Sequence, residues 1–138
     1  MFVVGIAGLL GALAVPGYTR VVDRLRISRA GSDMMTINIE VVKLRSANGR
    51  LPDTLAGIPG LPAADPWGRP YVYNYFLRPG FNKSQIRKDH NLHPINSEFD
   101  LYSQGKDGKS KPPLTAAPSR DDVIVARDGS FVGLARNF

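Results

Sequence analysis

Residues 1–49 read MFVVGIAGLLGALAVPGYTRVVDRLRISRAGSDMMTINIEVVKLRSANG. From Met1 to Val15 there is no charged or polar side chain; Pro16 closes the run, and Arg20 is the first charge. Further on the pattern changes. Apolar residues fall at Val22, Leu25, Ile27, Ala30, Met34, Ile37, Val41 and Leu44, and from Ile27 the steps alternate between three and four. That spacing marks one face of a helix, with Arg29, Asp33, Asn38, Glu40 and Lys43 mostly on the other. Asn48-Gly49 supplies the stop, because Gly suits the left-handed cap position. The stretch predicts a single long helix, apolar all round in its first half and amphipathic in its second. Pro16 kinks it without ending it, since helical patterning resumes at once.

The apolar half raises a length question. Fifteen residues of helix reach about 22 Å, against about 30 Å of bilayer hydrocarbon. A secretory signal peptide would place positive charge ahead of the apolar core, and here the chain opens on Met1-Phe2-Val3. A run apolar on every face, at a terminus, is also hard to bury inside one small domain.

The remainder is β-rich. Leu51 to Ala64 carries Pro52, Gly57, Pro59, Gly60 and Pro62 and reads as a connecting loop. Asp65-Pro66-Trp67-Gly68 is a tight turn. Strands are predicted at Tyr71–Phe76, Glu98–Ser103 and Val123–Ala126, with Asp128-Gly129 turning the chain into a last one at Ser130–Val132. Leu77 to Asn96 is a polar, basic excursion without a period, and Lys109 to Arg120, with Pro112, Pro113 and Pro118, is a loop. The fold class is therefore α+β: a long N-terminal helix packed on a small antiparallel sheet of three to four strands. The amphipathic half of the helix covers the sheet. Residues 1–22 form a protruding hydrophobic half and 23–138 a globular domain. The protruding half needs a lipid bilayer, copies of itself, or each in turn.

Composition narrows the function classes. The chain has 138 residues and no cysteine, which removes disulfides, thiol nucleophiles and Cys-based zinc sites. The net charge is +6, but Lys and Arg are spread along the chain. The densest group, Arg20, Arg24, Arg26 and Arg29, follows the apolar run and reads as a membrane-flanking or solvated face. Nucleic acid is not an expected partner. No nucleophile motif such as G-x-S-x-G is present, so an enzyme is not expected.

Four motifs occur in order. These are Val3 to Tyr18 with its internal proline, Asn48-Gly49-Arg50-Leu51-Pro52, Asp65-Pro66-Trp67-Gly68 followed by Tyr71 and Tyr73, and Phe99 to Gly108. Together they resemble the type IV pilin superfamily, and most closely the major pseudopilin of type II secretion systems. The resemblance covers nearly the whole chain. It implies a structural subunit that waits in the inner membrane as a single-pass protein with a periplasmic domain. Assembly then moves it into a periplasmic or cell-surface filament built on bundled apolar helices. The implied partners are copies of itself, minor pseudopilins, the inner-membrane assembly platform, a prepilin peptidase and the inner membrane. A type IV pilus subunit for adhesion, motility or DNA uptake is the alternative. The family's leader, cleavage site and helix Glu have no counterpart here, and Met1 aligns about six residues inside the mature helix. About six more residues would bring the apolar run to about 31 Å, enough to span.

The same resemblance implies calcium. From spacing alone, Asp107-Gly108 is a turn dipeptide and Asp121-Asp122 the end of a polar loop. By resemblance, Asp107 and Asp122 supply carboxylates, Asp121 a possible third, and backbone carbonyls near Gln104 complete the shell. A calcium clip would then stand in for a disulfide in fixing the Pro-rich loop. Lys106, Lys109 and Lys111 would weaken it unless they point away.

Other candidates have plain readings. His90 and His93 are spaced as a metal pair but lack partners. Trp67, Tyr71, Tyr73, Tyr75 and Phe76 suit packing better than base stacking. Gly5, Gly8 and Gly11 suit close helix approach in a filament core.

Overall fold

The computed structural model describes the backbone of residues 2–138, and the side chains of that range apart from residues 2–5, 7, 10, 13 and 14. One helix, α1 (Phe2–Asn48), continues through Pro16 without a break. It ends as its sequence requires: Gly49 takes φ +74° and its N–H donates to the Arg45 carbonyl at 2.8 Å. Among the described residues, no helix is long and apolar enough to cross a membrane.

Four strands follow: β1 (Val72–Tyr75), β2 (Phe99–Ser103), β3 (Val123–Ala126) and β4 (Phe131–Leu134). They form one sheet in the order β1-β2-β3-β4, each pair antiparallel. The last strand starts one residue later than its sequence suggested and runs two residues further, to Leu134. Asp128 and Gly129 make the turn before it, at φ 53° and 96°.

Register explains which side chains face the helix. Tyr73, Leu101, Val125 and Val132 pair in a row across the sheet. That row packs with Ala30, Met34, Ile37 and Val41 of α1 in the main core, with Ile27 at its margin. The periodic face read from the sequence is therefore the docking face. Leu25 is the exception, 65% exposed. Tyr71, Tyr73 and Tyr75 are buried in this core with Trp67 against them, so the aromatic cluster is packing. Tyr71 also donates from its hydroxyl to Asp33 Oδ2 at 2.8 Å, tying sheet entry to helix.

The other face of the sheet is also covered. β3 reads Val-Ile-Val-Ala and is buried at every residue. A strand apolar on both faces needs cover on both. Tyr102, Ile124 and Ala126 form a second core with Ile95, Leu114 and Ala135. Ile95 comes from the polar excursion and Leu114 from the Pro-rich loop. Those two loops meet: the Lys88 N–H donates to the Pro112 carbonyl at 3.1 Å, and the Leu114 N–H to the Lys88 carbonyl at 2.8 Å. They act as a lid on the second face.

Candidate functional site

The β2–β3 connection begins beside the Asp65 turn. Asp65 is buried, and its Oδ1 accepts the backbone N–H groups of Trp67 at 3.0 Å and Arg69 at 2.9 Å. Its Oδ2 accepts the Ser103 hydroxyl at 2.6 Å, and Ser103 Oγ in turn accepts the Gly105 N–H. One carboxylate thus fixes the turn and the exit from β2 together. Its role was hidden in the sequence, where Asp65 looked like a turn residue only. Asp65→Ala strips several buried donors of their acceptor and is expected to lower unfolding free energy by about 3 kcal/mol. Urea denaturation would read it as a lowered midpoint at constant slope.

Arg69 sits over the first acidic loop. Its guanidinium donates to the carbonyl of Gly105 and, at 3.3 Å, to that of Lys106. Asp107 is exposed; its Oδ1 accepts the Lys109 N–H at 2.8 Å, closing the turn on itself. The Asp107 N–H donates to Asp121 Oδ2 at 2.9 Å. Asp121 lies in a cleft with Asp23, Ile27, Trp67 and Lys106, on the helix side of the sheet. Lys106 is occupied there by Asp23 at 2.7 Å.

Asp122 goes the other way. It is fully buried, and its Oδ2 lies 2.5 Å from Arg87 Nη2 and accepts the Ser110 hydroxyl. Among the described residues its Oδ1 has no hydrogen-bond partner. Burial pushes the Asp122 carboxyl up to about 6, while the Ser110 hydroxyl and the Arg87 guanidinium pull against it. Burial likewise raises Asp100, on the same face. A carboxyl whose folded pKa exceeds its unfolded value adds stability that is complete below about pH 4 and is lost as pH rises through the folded value. The denaturation midpoint is therefore expected to be higher at about pH 5 than at about pH 8, with the fall centred near the Asp122 value of about 6.

The four residues expected to hold calcium are thus divided. The structure brings Asp107 and Asp121 together through a backbone hydrogen bond, while Asp122 pairs with an arginine elsewhere. Gln104 is half-buried at the end of β2. Calcium needs six to eight oxygens around one point. As arranged, these residues do not make one shell: the Gly105 carbonyl and the Asp122 carboxylate each already face a guanidinium. Among the described residues, no group of three or more His, Asp or Glu side chains is placed to hold a metal ion. His90 and His93 are exposed, and His90 Nδ1 lies 3.1 Å from its neighbour Asp89.

A second surface bears on function. Tyr18, Val21, Leu25, Met35, Ile39 and Val42 are all exposed. With Ser28 and Ser32 between them they recur in steps of three and four, on the face of α1 opposite the core. A helix facing only water would carry polar residues there. The stripe is present in the sequence as a second run of three- and four-residue steps, offset around the helix from the core face. Ile6, Leu9 and Val15 extend the exposed apolar surface toward the N-terminus. A side chain built at Gly8 or Gly11 would meet open space, and the side-chain position of Gly5 lies outside the described residues.

One long helix docked on an open antiparallel sheet, with apolar surface left bare along the helix, is a pilin-like α+β fold. No family model matches the chain, and no solved structure matches it significantly. Among curated proteins the chain is similar to the Type II secretion system core protein G of Pseudomonas aeruginosa. The two are 29% identical, over 79% of this chain and 80% of that protein.

Proposed function

We propose that this chain is a structural subunit of a type II secretion pseudopilus, and that it polymerises through α1. The observation that carries the reading is the apolar stripe from Tyr18 to Val42 on the solvent side of the docked helix. An apolar band of that length on a single subunit is an interaction surface in waiting. A helical stack of copies would cover it with the same band of neighbouring helices, in the heterologous mode that propagates without closing. The similarity to a type II secretion core protein supports secretion as the setting. It also supports a structural part over an enzyme. The further partners are minor pseudopilins, an inner-membrane assembly platform and a prepilin peptidase, with residues 1–22 lodged in the inner membrane before assembly and residues 23–138 outside it.

The experiment is genetic. Cells lacking the chain are expected to stop releasing exoproteins while keeping surface motility and DNA uptake, and the wild-type chain restores release. Loss of motility or DNA uptake with exoprotein release intact would instead select the type IV pilus alternative.

A further inference from the structure

The resemblance assigns the closing of the acidic loops to a bound divalent cation, yet the acceptors at that place already face arginine side chains. Arg87 is 1% exposed, the largest of the fully buried side chains. Its Nη2 meets Asp122 at 2.5 Å, and its Nη1 donates to the Ser110 hydroxyl and, at 2.9 Å, to the Lys111 carbonyl. Its guanidinium lies 4.3 Å from the centroid of the Tyr102 ring. Its backbone N–H donates to Asp100 Oδ2 at 2.7 Å. One residue therefore joins the 77–96 excursion, the 109–120 loop, β2 and the start of β3. Arg69 does the same for the first loop through the carbonyls of Gly105 and Lys106.

We propose that Arg87, with Arg69 beside it, is the built-in cation that closes these loops in place of a divalent ion, so that the fold is complete without metal. The chemistry favours the exchange. A guanidinium carries permanent charge and a planar fork of donors, which suits a carboxylate, a hydroxyl and a carbonyl at once. A calcium ion on the free Asp122 Oδ1 would lie about 2.4 Å from that oxygen and within a few ångströms of the Arg87 charge, so the two cations repel each other. The long spacer between the acidic loops agrees with this. Its Lys111 carbonyl serves Arg87, and its Ser119 hydroxyl donates to the same carbonyl at 2.8 Å. The loop is shaped around the arginine.

Thermal unfolding of the full chain in detergent micelles tests the idea. With EDTA, and then with millimolar calcium chloride, Tm is expected to stay within about 2 °C; saturation of a native-state site would move it by more. A calcium-dependent rise beyond about 2 °C overturns the proposal. Arg87→Met strands Asp122 as a buried anion and is expected to drop Tm by about 10 °C or more. Arg87→Met combined with Asp122→Asn is expected to recover at least half of that drop, because the stranded charge is gone. Arg87→Met is also expected to expose the bond after Lys109 to trypsin, a local readout of loop closure. An unchanged Tm and unchanged cleavage in Arg87→Met would equally overturn the proposal. Should the variant fail to fold, the wild-type response to calcium still decides. Neither result bears on the filament reading, which rests on the opposite face of α1.

Discussion

Leu25→Glu is expected to abolish filament formation while leaving the Tm of the subunit unchanged. Leu25 is 65% exposed and lies outside both cores, so its replacement removes no intramolecular packing. Surface changes of this kind usually stay within about 0.5 kcal/mol of wild type. In a stack of helices the same position becomes buried. A carboxylate there would be desolvated without a partner, at a cost of several kcal/mol in every subunit contact. The penalty repeats along the filament, so a modest local term becomes an all-or-none outcome. Lys83→Gln, exposed and in the 77–96 excursion away from α1, should assemble as wild type does. Electron microscopy of filaments from cells carrying the assembly machinery reads the difference. Normal filaments from Leu25→Glu would show that the stripe is not the contact.

The second large effect belongs to Gly105. Gly105→Ala is expected to lower stability by about 3 kcal/mol, and Gly108→Ala by clearly less. Both sit at positive φ, 63° and 69°, where a side chain is strained by about 1 kcal/mol. The difference is in what the new methyl meets. At Gly105 a Cβ would stand 2.1 Å from the Asp121 carbonyl oxygen and 2.6 Å from its carbon, which are backbone and cannot step aside. At Gly108 it would meet the end of the Arg69 side chain at 2.9 Å, which can rotate away. Urea midpoints compare the two variants directly. Equal losses would mean that the Gly105–Asp121 approach, and with it the meeting of the two acidic loops, is not as close as described.

Local periodicity made the main architecture readable. Ala30, Met34, Ile37 and Val41 announce a helix face because their spacing is set by the helix itself. The four strands announce themselves by β-branched and aromatic residues and by the turn residues around them, with alternation plain in β1 but not in β3. What escaped depends on distance along the chain. Arg87 looks like any other basic residue of an aperiodic stretch, because Asp100 is 13 residues away and Asp122 is 35. Asp65 hid in the same way, its partner Ser103 lying 38 residues on. The run Val123-Ile124-Val125-Ala126 did hold a clue. A strand apolar at every position asks for cover on both faces, and Ile95 and Leu114 supply it from the loops. For the acidic pair, adjacency in sequence does not mean a shared site: Asp121 and Asp122 are neighbours whose side chains serve opposite sides of the sheet.

In the proposed filament α1 packs against copies of itself along the Tyr18–Val42 stripe. Replacing Leu25 by a photo-activatable benzophenone residue tests it with a probe that reacts with whatever lies against that position. Illumination of cells assembling the filament is expected to give a ladder at multiples of the chain's own mass, with the same probe at exposed Lys83 giving none. Monomer alone at Leu25, or an equal ladder from Lys83, would contradict the account.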